Sequence, residues 1–201
     1  MCHTIRLLPL MLFITIITII SSCDVAKQAQ QASNLTNCDF RIKSVDNVNL
    51  AGVGFQNVTS ITDLGITEVA RIMAGFASPT FPLLLQLNLE GRNPNLKEAG
   101  LNRIEWILFA DDILMTSGIV DKPFVIPANG SAIIPVQVAL DLKTVLSGKS
   151  AEALVKFCLN LAGVGKEATR FKIKLKPAIM VAGAAMKYPG YITVNTTYSA
   201  K

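Results

Sequence analysis

The side chains that could support catalysis or metal binding are few, and their placement limits the chemistry. The sequence contains one histidine, His3, among the first residues of the chain. Ser–His–Asp and Cys–His nucleophile pairs need an imidazole, and so does any histidine-ligated zinc site. Because the segment that carries His3 has the features of a cleaved signal, we predict a mature chain without these sites.

The acidic side chains do not mark an active site either. Asp111 and Asp112 are adjacent and lie between two apolar segments, which is typical of a turn. One adjacent pair supplies too few oxygen atoms for calcium, and nothing marks two carboxylates for glycoside hydrolysis. The glycine-containing segments 52–57 and 162–167 lack the spacing and the Lys-Ser/Thr ending of a phosphate loop. We therefore predict that the protein is not an enzyme and has no cofactor and no metal site.

The amino-terminal segment has the pattern of an export signal. Arg6 precedes an apolar run over residues 7–20, and two serines then precede Cys23. A helix of that run would be roughly 21 Å long, shorter than a bilayer core of about 30 Å. The pattern predicts a signal peptide over residues 1–22, and residues 20–23 resemble a bacterial lipobox, in which the cysteine is acylated. The alternatives are an ordinary cleaved signal and an uncleaved anchor.

An acylated Cys23 would hold the chain on a membrane, since each buried methylene contributes about 0.8 kcal/mol. We therefore predict a protein of the bacterial cell envelope whose lipid anchor joins it to the membrane. Residues 23–36 are rich in Ala, Gln, Ser and Asn, a composition that indicates a flexible tether. The folded domain would then comprise residues 37–201.

Two further cysteines lie in the predicted domain and leave two alternatives open. In an oxidising compartment, Cys38 and Cys158 form an even pair that a disulfide could join. Cysteine is also among the most buried residue types, and Cys158 lies on the apolar face of a predicted helix. The second alternative is therefore a pair of buried free thiols.

Apolar and polar residues alternate over several short segments. The clearest segments are 83–90, 131–142 and 170–176, each with the period of two that is typical of a half-buried strand. Pro135 interrupts the second segment, which favours an edge strand or a bulge. Turn-forming residues separate the segments, and short strands spaced in this way indicate an antiparallel β-sandwich.

Two segments have helical periodicity instead. The first apolar stripe runs from Val69 to Phe76, with Thr67 as its predicted N-cap. The second runs from Leu154 to Ala162, with Ser150 as its predicted N-cap. Both stripes are predicted to contact the core, so the expected fold class is mainly β, with one or two short helices.

Positive charges alternate along the last of these strands. Arg170, Lys172, Lys174 and Lys176 would share one face and span roughly 20 Å. Such a face attracts an anionic or protein partner in the envelope; the alternative is a solvated face whose lysines protect an edge strand from aggregation. The net charge of +5 is far from the clustered basic surface of a nucleic-acid binder, so no nucleic-acid partner is predicted.

A proline between two asparagines follows the first alternating strand. Pro94 has no backbone donor and restricts Asn93 to extended geometry, so the strand must end there. Asn95 tolerates turn geometry and can bond its own backbone. The segment Asn93–Asn95 is therefore predicted to close a corner of the sandwich.

The order of these motifs resembles the late embryogenesis abundant (LEA) type 2 family, also called the water stress and hypersensitive response (WHy) domain. Members pair an Asn-Pro-Asn turn with a downstream glycine and a strand that contains Pro-Val; here these would be residues 93–95, Gly118 and Pro135. The resemblance covers roughly residues 38–200. It implies an immunoglobulin-like or fibronectin-III-like sandwich, an association with desiccation or other stress, and no enzymatic activity. The predicted helix near residues 66–76 is a departure, because the family pattern does not require it.

Two functional hypotheses follow from the sequence. The first is a non-enzymatic envelope lipoprotein whose LEA type 2-like domain is a stress-protective or interaction module. The second is a structural or adaptor subunit of an envelope assembly or transport complex, recruited through a sheet edge.

Overall fold

The structure is a computed structural model that describes residues 26–58, 60–163, 169–181 and 184–198. The predicted signal peptide at 1–22 and Cys23 lie outside the described residues. The described helices are α1 (26–35), α2 (Ile66–Ala77), α3 (Leu142–Val145) and α4 (Ala151–Leu161). None of them is long and apolar enough to cross a membrane. The described strands are β1 (Asp39–Leu50), β2 (Val53–Gly54), β3 (Pro82–Arg92), β4 (Ala99–Leu101), β5 (Arg103–Ala110), β6 (Ile113–Val120), β7 (Phe124–Ile126), β8 (Ser131–Asp141), β9 (Thr169–Val181), β10 (Ala184–Lys187) and β11 (Ile192–Tyr198).

Two antiparallel sheets enclose the core. The first sheet has the order β2–β1–β3–β8, and the second has the order β10–β9–β5–β6, with β11 also paired to β9. Strands β4 and β7 form a separate two-stranded ribbon. These pairings confirm the predicted fold class, a mainly β antiparallel sandwich. The described part contains four helices where one or two were expected.

The core is formed by alternate residues of the strands. Strand β3 lies between β1 and β8, and its inward leucines are almost fully buried, as the alternation over residues 83–90 predicts. Strand β9 shows the same alternation over residues 170–176. The inward residues of these two strands are Leu83, Leu85, Leu87, Leu89, Phe171, Ile173 and Leu175.

The strand order tests two sequence predictions about which strands lie at sheet edges. Strand β8 pairs with β3 on one side and is the outer strand of its sheet, so the edge position predicted from Pro135 is confirmed. Strand β9 pairs with β5 on one side and with β10 and β11 on the other. The alternative that its lysines protect an edge strand is therefore wrong.

The two predicted helices differ in how deeply they are buried. The stripe of α4 packs into the core, and the Ser150 hydroxyl accepts a hydrogen bond from the Ala153 N–H at 3.3 Å as the predicted N-cap. In α2 only Ile72 is fully buried. The predicted N-cap Thr67 is wrong, because the helix begins after Gly65 without a side-chain cap.

The flexible tether predicted over residues 23–36 is wrong for residues 26–35. Residues 26–35 are helical, and Leu35 at the end of α1 is buried in the core. The Asn34 side chain donates a hydrogen bond to the carbonyl of Glu98 at 2.8 Å. Composition alone did not reveal this packing, because it depends on contacts with residues far away in the chain, such as Glu98.

The sandwich has two distinct ends. At one end of the β1–β3 pair, Asp39 lies opposite Arg92, and at the other end Leu50 lies opposite Leu83. We call the first the proximal end, which carries α1 and the turn at residues 93–95. The second is the distal end, which carries α2 and α4. A strand of twelve residues separates the two ends by about 40 Å.

Candidate functional site

The turn at residues 93–95 is a buried hydrogen-bonded junction. Asn93 is almost fully buried, and its side-chain amide donates to the carbonyls of Lys97, Ile126 and Pro127 at 2.9, 3.1 and 3.0 Å. Its side-chain oxygen accepts from the Asn95 backbone N–H at 3.0 Å. Because the polar atoms of Asn93 are occupied by the protein itself, this residue has a structural role and is not available to a ligand.

Asn95 extends the same junction to the amino-terminal helix. Its side-chain amide donates to the carbonyl of Asn34, the penultimate residue of α1, at 2.9 Å. Its own carbonyl accepts from the backbone N–H of Asn129 at 3.0 Å. The turn thus joins α1 to the loop between β7 and β8, and it fixes the proximal end.

The packing of Trp106 explains why position 118 is a glycine. Gly118 lies opposite Trp106 in the β5–β6 pair, and a Cβ atom at this position would lie 2.5 Å from the indole ring. The glycine therefore allows the tryptophan ring to lie close to the β6 backbone, which no larger residue would permit without a shift.

The cationic row on β9 lies on the outer face of its sheet and is brought together as predicted. Arg170 and Lys172 form ion pairs with the turn residues Asp111 and Asp112. Both aspartates have positive φ angles, of 48° and 64°, as the two central residues of a tight hairpin require. The predicted turn is therefore present. The hydrogen bond from Lys172 holds the pKa of Asp112 below its usual value of 3.8.

The other two cations of this row lie over aromatic rings. The ammonium of Lys174 is 5.5 Å from the centroid of Phe109, and that of Lys176 is 5.2 Å from the centroid of Tyr191. Within the described part of the chain, neither lysine forms an ion pair with a carboxylate. The cationic face is therefore partly neutralised towards Arg170 and remains positive towards Lys176.

The two cysteines of the domain are free thiols in the structure, so the disulfide alternative is not realised. Burial, with a smaller contribution from Asp39, raises the pKa of the Cys38 thiol from 9.0 to about 11. Burial also raises the pKa of Cys158. Both thiols are protonated at neutral pH and are unreactive towards nucleophilic chemistry.

One depression that the sequence did not predict is a cleft between the two edge strands β6 and β8. It has a volume of about 610 Å³, and its walls include Ile119, Phe124, Ile133 and Pro135. Trp106 also lines it and is 4% exposed. Its lining comes from the end of β6 and the first half of β8, which lie towards the proximal end. We call this depression the inter-sheet cleft.

Among the described residues that line the inter-sheet cleft, two are charged, and both directly follow β6 at the proximal end, which we call the mouth of the cleft. Asp121 and Lys122 lie there, and Asp121 forms an ion pair with Arg103 at 3.4 Å. Lys122 is exposed and forms no ion pair with the residues that the structure describes. The arrangement is an apolar depression with one uncompensated positive charge at its opening.

A second apolar depression lies at the distal end, between α2 and α4. Its volume is about 180 Å³, and Val69, Met73 and Val155 contribute to its walls. Val69 and Met73 are 46% and 52% exposed. The prediction that the α2 stripe contacts the core is therefore wrong for these two residues, which face solvent.

Neither depression could have been located from the sequence, although a signal existed for the first. Strand β6, from Ile113 to Val120, has no charged residue, and Pro135 marks β8 as an edge. Two poorly protected edges in one sandwich suggest an opening, but only the fold shows that they face each other above Trp106. Among the described residues, no group of three potential metal ligands is present.

Comparison with known proteins adds little. No family model matches the chain, and no curated protein matches it. Among solved structures, a protein from Archaeoglobus fulgidus aligns with a TM-score of 0.34 and 12% identity over 62% of this chain and 89% of that one. A putative LEA protein aligns with a TM-score of 0.38 and 10% identity, over 92% and 85% of the two chains. An Arabidopsis thaliana protein aligns with 0.37 and 10%, over 80% and 77%. Likeness at this level does not assign a family.

Proposed function

We propose that this protein is a non-enzymatic, lipid-anchored interaction module of the bacterial cell envelope, built on a LEA type 2-like sandwich. The observation that carries the proposal is the inter-sheet cleft, which is apolar, open to solvent and flanked by two free sheet edges. A concave apolar surface with few polar groups is the usual form of a binding site. The charged groups at its mouth are Asp121 and Lys122, and Gln137 lines the cleft farther along β8.

The attachment of α1 supports the anchored part of the proposal. The described part of α1 starts at residue 26, three positions after Cys23. Three residues reach at most about 10 Å, so an acylated Cys23 would hold the proximal end close to the membrane. The hydrogen bond between Asn95 and Asn34 would then keep the sandwich next to the membrane-bound end of the chain.

The anchor is tested by changing Cys23 to alanine and separating membrane from soluble fractions. We expect the unaltered protein in the membrane fraction and the Cys23→Ala protein either released or retained only as an unprocessed precursor. The neighbouring change Ser22→Ala keeps the cysteine and is the matched control. A Cys23→Ala protein that is processed and stays membrane-bound would contradict the lipid anchor.

The stress-protective role and the adaptor role can be distinguished by the stoichiometry with which the protein acts on other proteins. A protectant would preserve a labile enzyme through drying in proportion to the amount added, without a fixed ratio. An adaptor would co-purify with one defined partner after cross-linking in cells. The adaptor role is favoured by strand β6, because its uncharged free edge can accept an added strand from another chain.

The anionic partner proposed for the cationic row is assigned to Lys174 and Lys176, since Asp111 and Asp112 engage the other two cations. We expect the double change to glutamate to weaken binding to vesicles of anionic lipid, with the difference disappearing at high salt. Arg170→Glu is the matched control and should have the smaller effect. Equal binding by the double variant would remove this partner from the proposal.

A further inference from the structure

The inter-sheet cleft has the dimensions of a small-molecule site. Its volume of about 610 Å³ lies within the range of about 300–1,000 Å³ that such sites occupy. Ile119 and Ile133 on its two walls are 52% and 40% exposed. Their exposure leaves apolar surface in water that a bound apolar group would remove.

The shape and chemistry of the cleft favour an elongated apolar occupant. The cleft runs along β6 and β8, with apolar side chains from both edges. Asp121 and Lys122 are the only charged residues among the described residues that line it. A compact polar ligand would leave its hydrogen-bonding groups unsatisfied against these walls. A hydrocarbon tail has no hydrogen-bonding groups to satisfy, and it would cover the exposed apolar surface of both isoleucines.

The charge at the mouth indicates which chemical group a bound molecule would carry at the end opposite its apolar tail. Asp121 is engaged by Arg103, whereas Lys122 has no carboxylate partner in the described chain. Lys122 therefore complements an anionic group placed at the opening. An anionic head joined to an apolar tail is an amphiphile, and a single cleft accommodates a single tail.

The mouth of the cleft faces the same end of the sandwich as the anchor. Arg103, at the start of β5, pairs with Ala178 of β9. Ala178 in turn lines one depression together with Ala29 and Ala32 of α1. The mouth, α1 and any membrane that holds Cys23 therefore lie at the proximal end, where an amphiphile that leaves a bilayer would meet the domain.

We propose that the inter-sheet cleft holds the tail of a single-chain anionic amphiphile, such as a free fatty acid, with its headgroup beside Lys122. This inference deepens the proposed function and rests on it, because the interaction module then acts on molecules released from the membrane to which it is anchored. The bound chain would lie over Trp106, between Ile119 and Ile133.

The test is photolabelling of the full chain, extracted from membranes and placed in lipid nanodiscs. The probe is a long-chain fatty acid that carries a diazirine near the end of its tail. After illumination, labelled peptides are mapped by mass spectrometry. We expect the label within β5 around Trp106 and within residues 119–137, and not at the groove between α2 and α4.

Two pairs of variants sharpen the test. Ile119→Trp fills the cleft, and Ile113→Trp places the same side chain at a similarly exposed isoleucine of β6 outside it. Lys122→Glu reverses the charge at the mouth, and Lys149→Glu does so at an exposed lysine of the distal end. We expect labelling to fall about tenfold in Ile119→Trp and in Lys122→Glu, and to be unchanged in the two controls.

The results that overturn the inference are equally specific. Full labelling of the cleft in Ile119→Trp, or equal labelling of Lys122→Glu and Lys149→Glu, would do so. In a second arm, the same diazirine chain is carried by phosphatidylglycerol of the nanodisc. Labelling by that lipid and not by the fatty acid would exclude a single-chain ligand.

Failure of the inference is distinguishable from failure of the anchored function. The intact mass of the same preparation shows whether Cys23 is acylated, independently of the cleft. An acylated protein with an unlabelled cleft keeps the anchor and loses the amphiphile. An unacylated protein that is labelled in solution keeps the amphiphile site and loses the anchor.

Discussion

The two ends of the sandwich are closed by different interactions. At the proximal end, Asn93 and Asn95 connect loops and α1 through directional hydrogen bonds. At the distal end, α4 covers the core with apolar side chains, and α2 lies outside it with part of its apolar stripe in solvent. Polar junctions specify one geometry, whereas apolar contacts tolerate a partly exposed helix.

The two helices of the distal end also differ from each other, in capping and in burial. Both have an apolar stripe with helical spacing, but α4 is capped by Ser150 and its stripe is buried, whereas α2 has no side-chain cap and buries one residue. Periodicity therefore predicts that a helix forms and which face is apolar. It does not predict how deeply that face is buried.

The largest effect is expected from the buried face of α4. Leu154 is almost fully buried, so Leu154→Ala should lower the free energy of unfolding by about 2–5 kcal/mol. Met73→Ala in α2 is the matched control, and its half-exposed side chain should cost less than about 1 kcal/mol. Urea denaturation measures both. Equal losses would show that α2 is as buried as α4.

The next effect is expected at the proximal junction. Asn93→Ala removes the donor for three carbonyls, at least one of which is buried with it, and should cost about 2–3 kcal/mol. Asn95→Ala breaks one contact to α1 and should cost about 1 kcal/mol. Hydrogen exchange should become faster in α1 in both variants. Unchanged protection of α1 would contradict a junction that holds this helix.

The helix caps give a smaller and sharper contrast. Ser150→Ala removes the side-chain cap of α4 and should cost about 1 kcal/mol. Thr67→Ala in α2 should change stability by less than about 0.5 kcal/mol, because Thr67 is exposed and caps nothing. Thermal unfolding of the two variants tests the difference. A larger loss for Thr67→Ala would restore it as the N-cap.

The smallest effect is expected in the acid limb of the stability curve. Hydrogen bonds from the backbone N–H groups of Phe81, at 2.8 Å, and Lys143, at 3.0 Å, hold the pKa of Asp141 below its usual 3.8. Its contribution is therefore present above about pH 4 and is lost as the pH falls through the folded-state pKa. Asp141→Asn should make the urea midpoint less dependent on pH in this acid range. An unchanged slope of midpoint against pH would contradict the contribution of Asp141.

The local patterns of the sequence predicted most of the strands and turns. The alternation in β3 and β9 and the adjacent aspartates before β6 each depend on neighbouring residues, and the structure confirms the strands and the turn that they predict. The contact between Asn34 and Asn95 joins residues far apart in the chain, so local composition predicts a tether where the structure has α1. The inter-sheet cleft was missed for the same reason, because it exists only when β5, β6 and β8 are assembled.

The lipid anchor is tested most directly by the intact mass of the membrane-extracted protein, taken with and without reduction. We predict a chain that begins at Cys23, carries added acyl mass and does not change on reduction, because Cys38 and Cys158 are free thiols. An unmodified chain that still carries residues 1–22 would contradict the anchored module. A gain of about two daltons on reduction would contradict the free thiols, since a disulfide takes up two hydrogens.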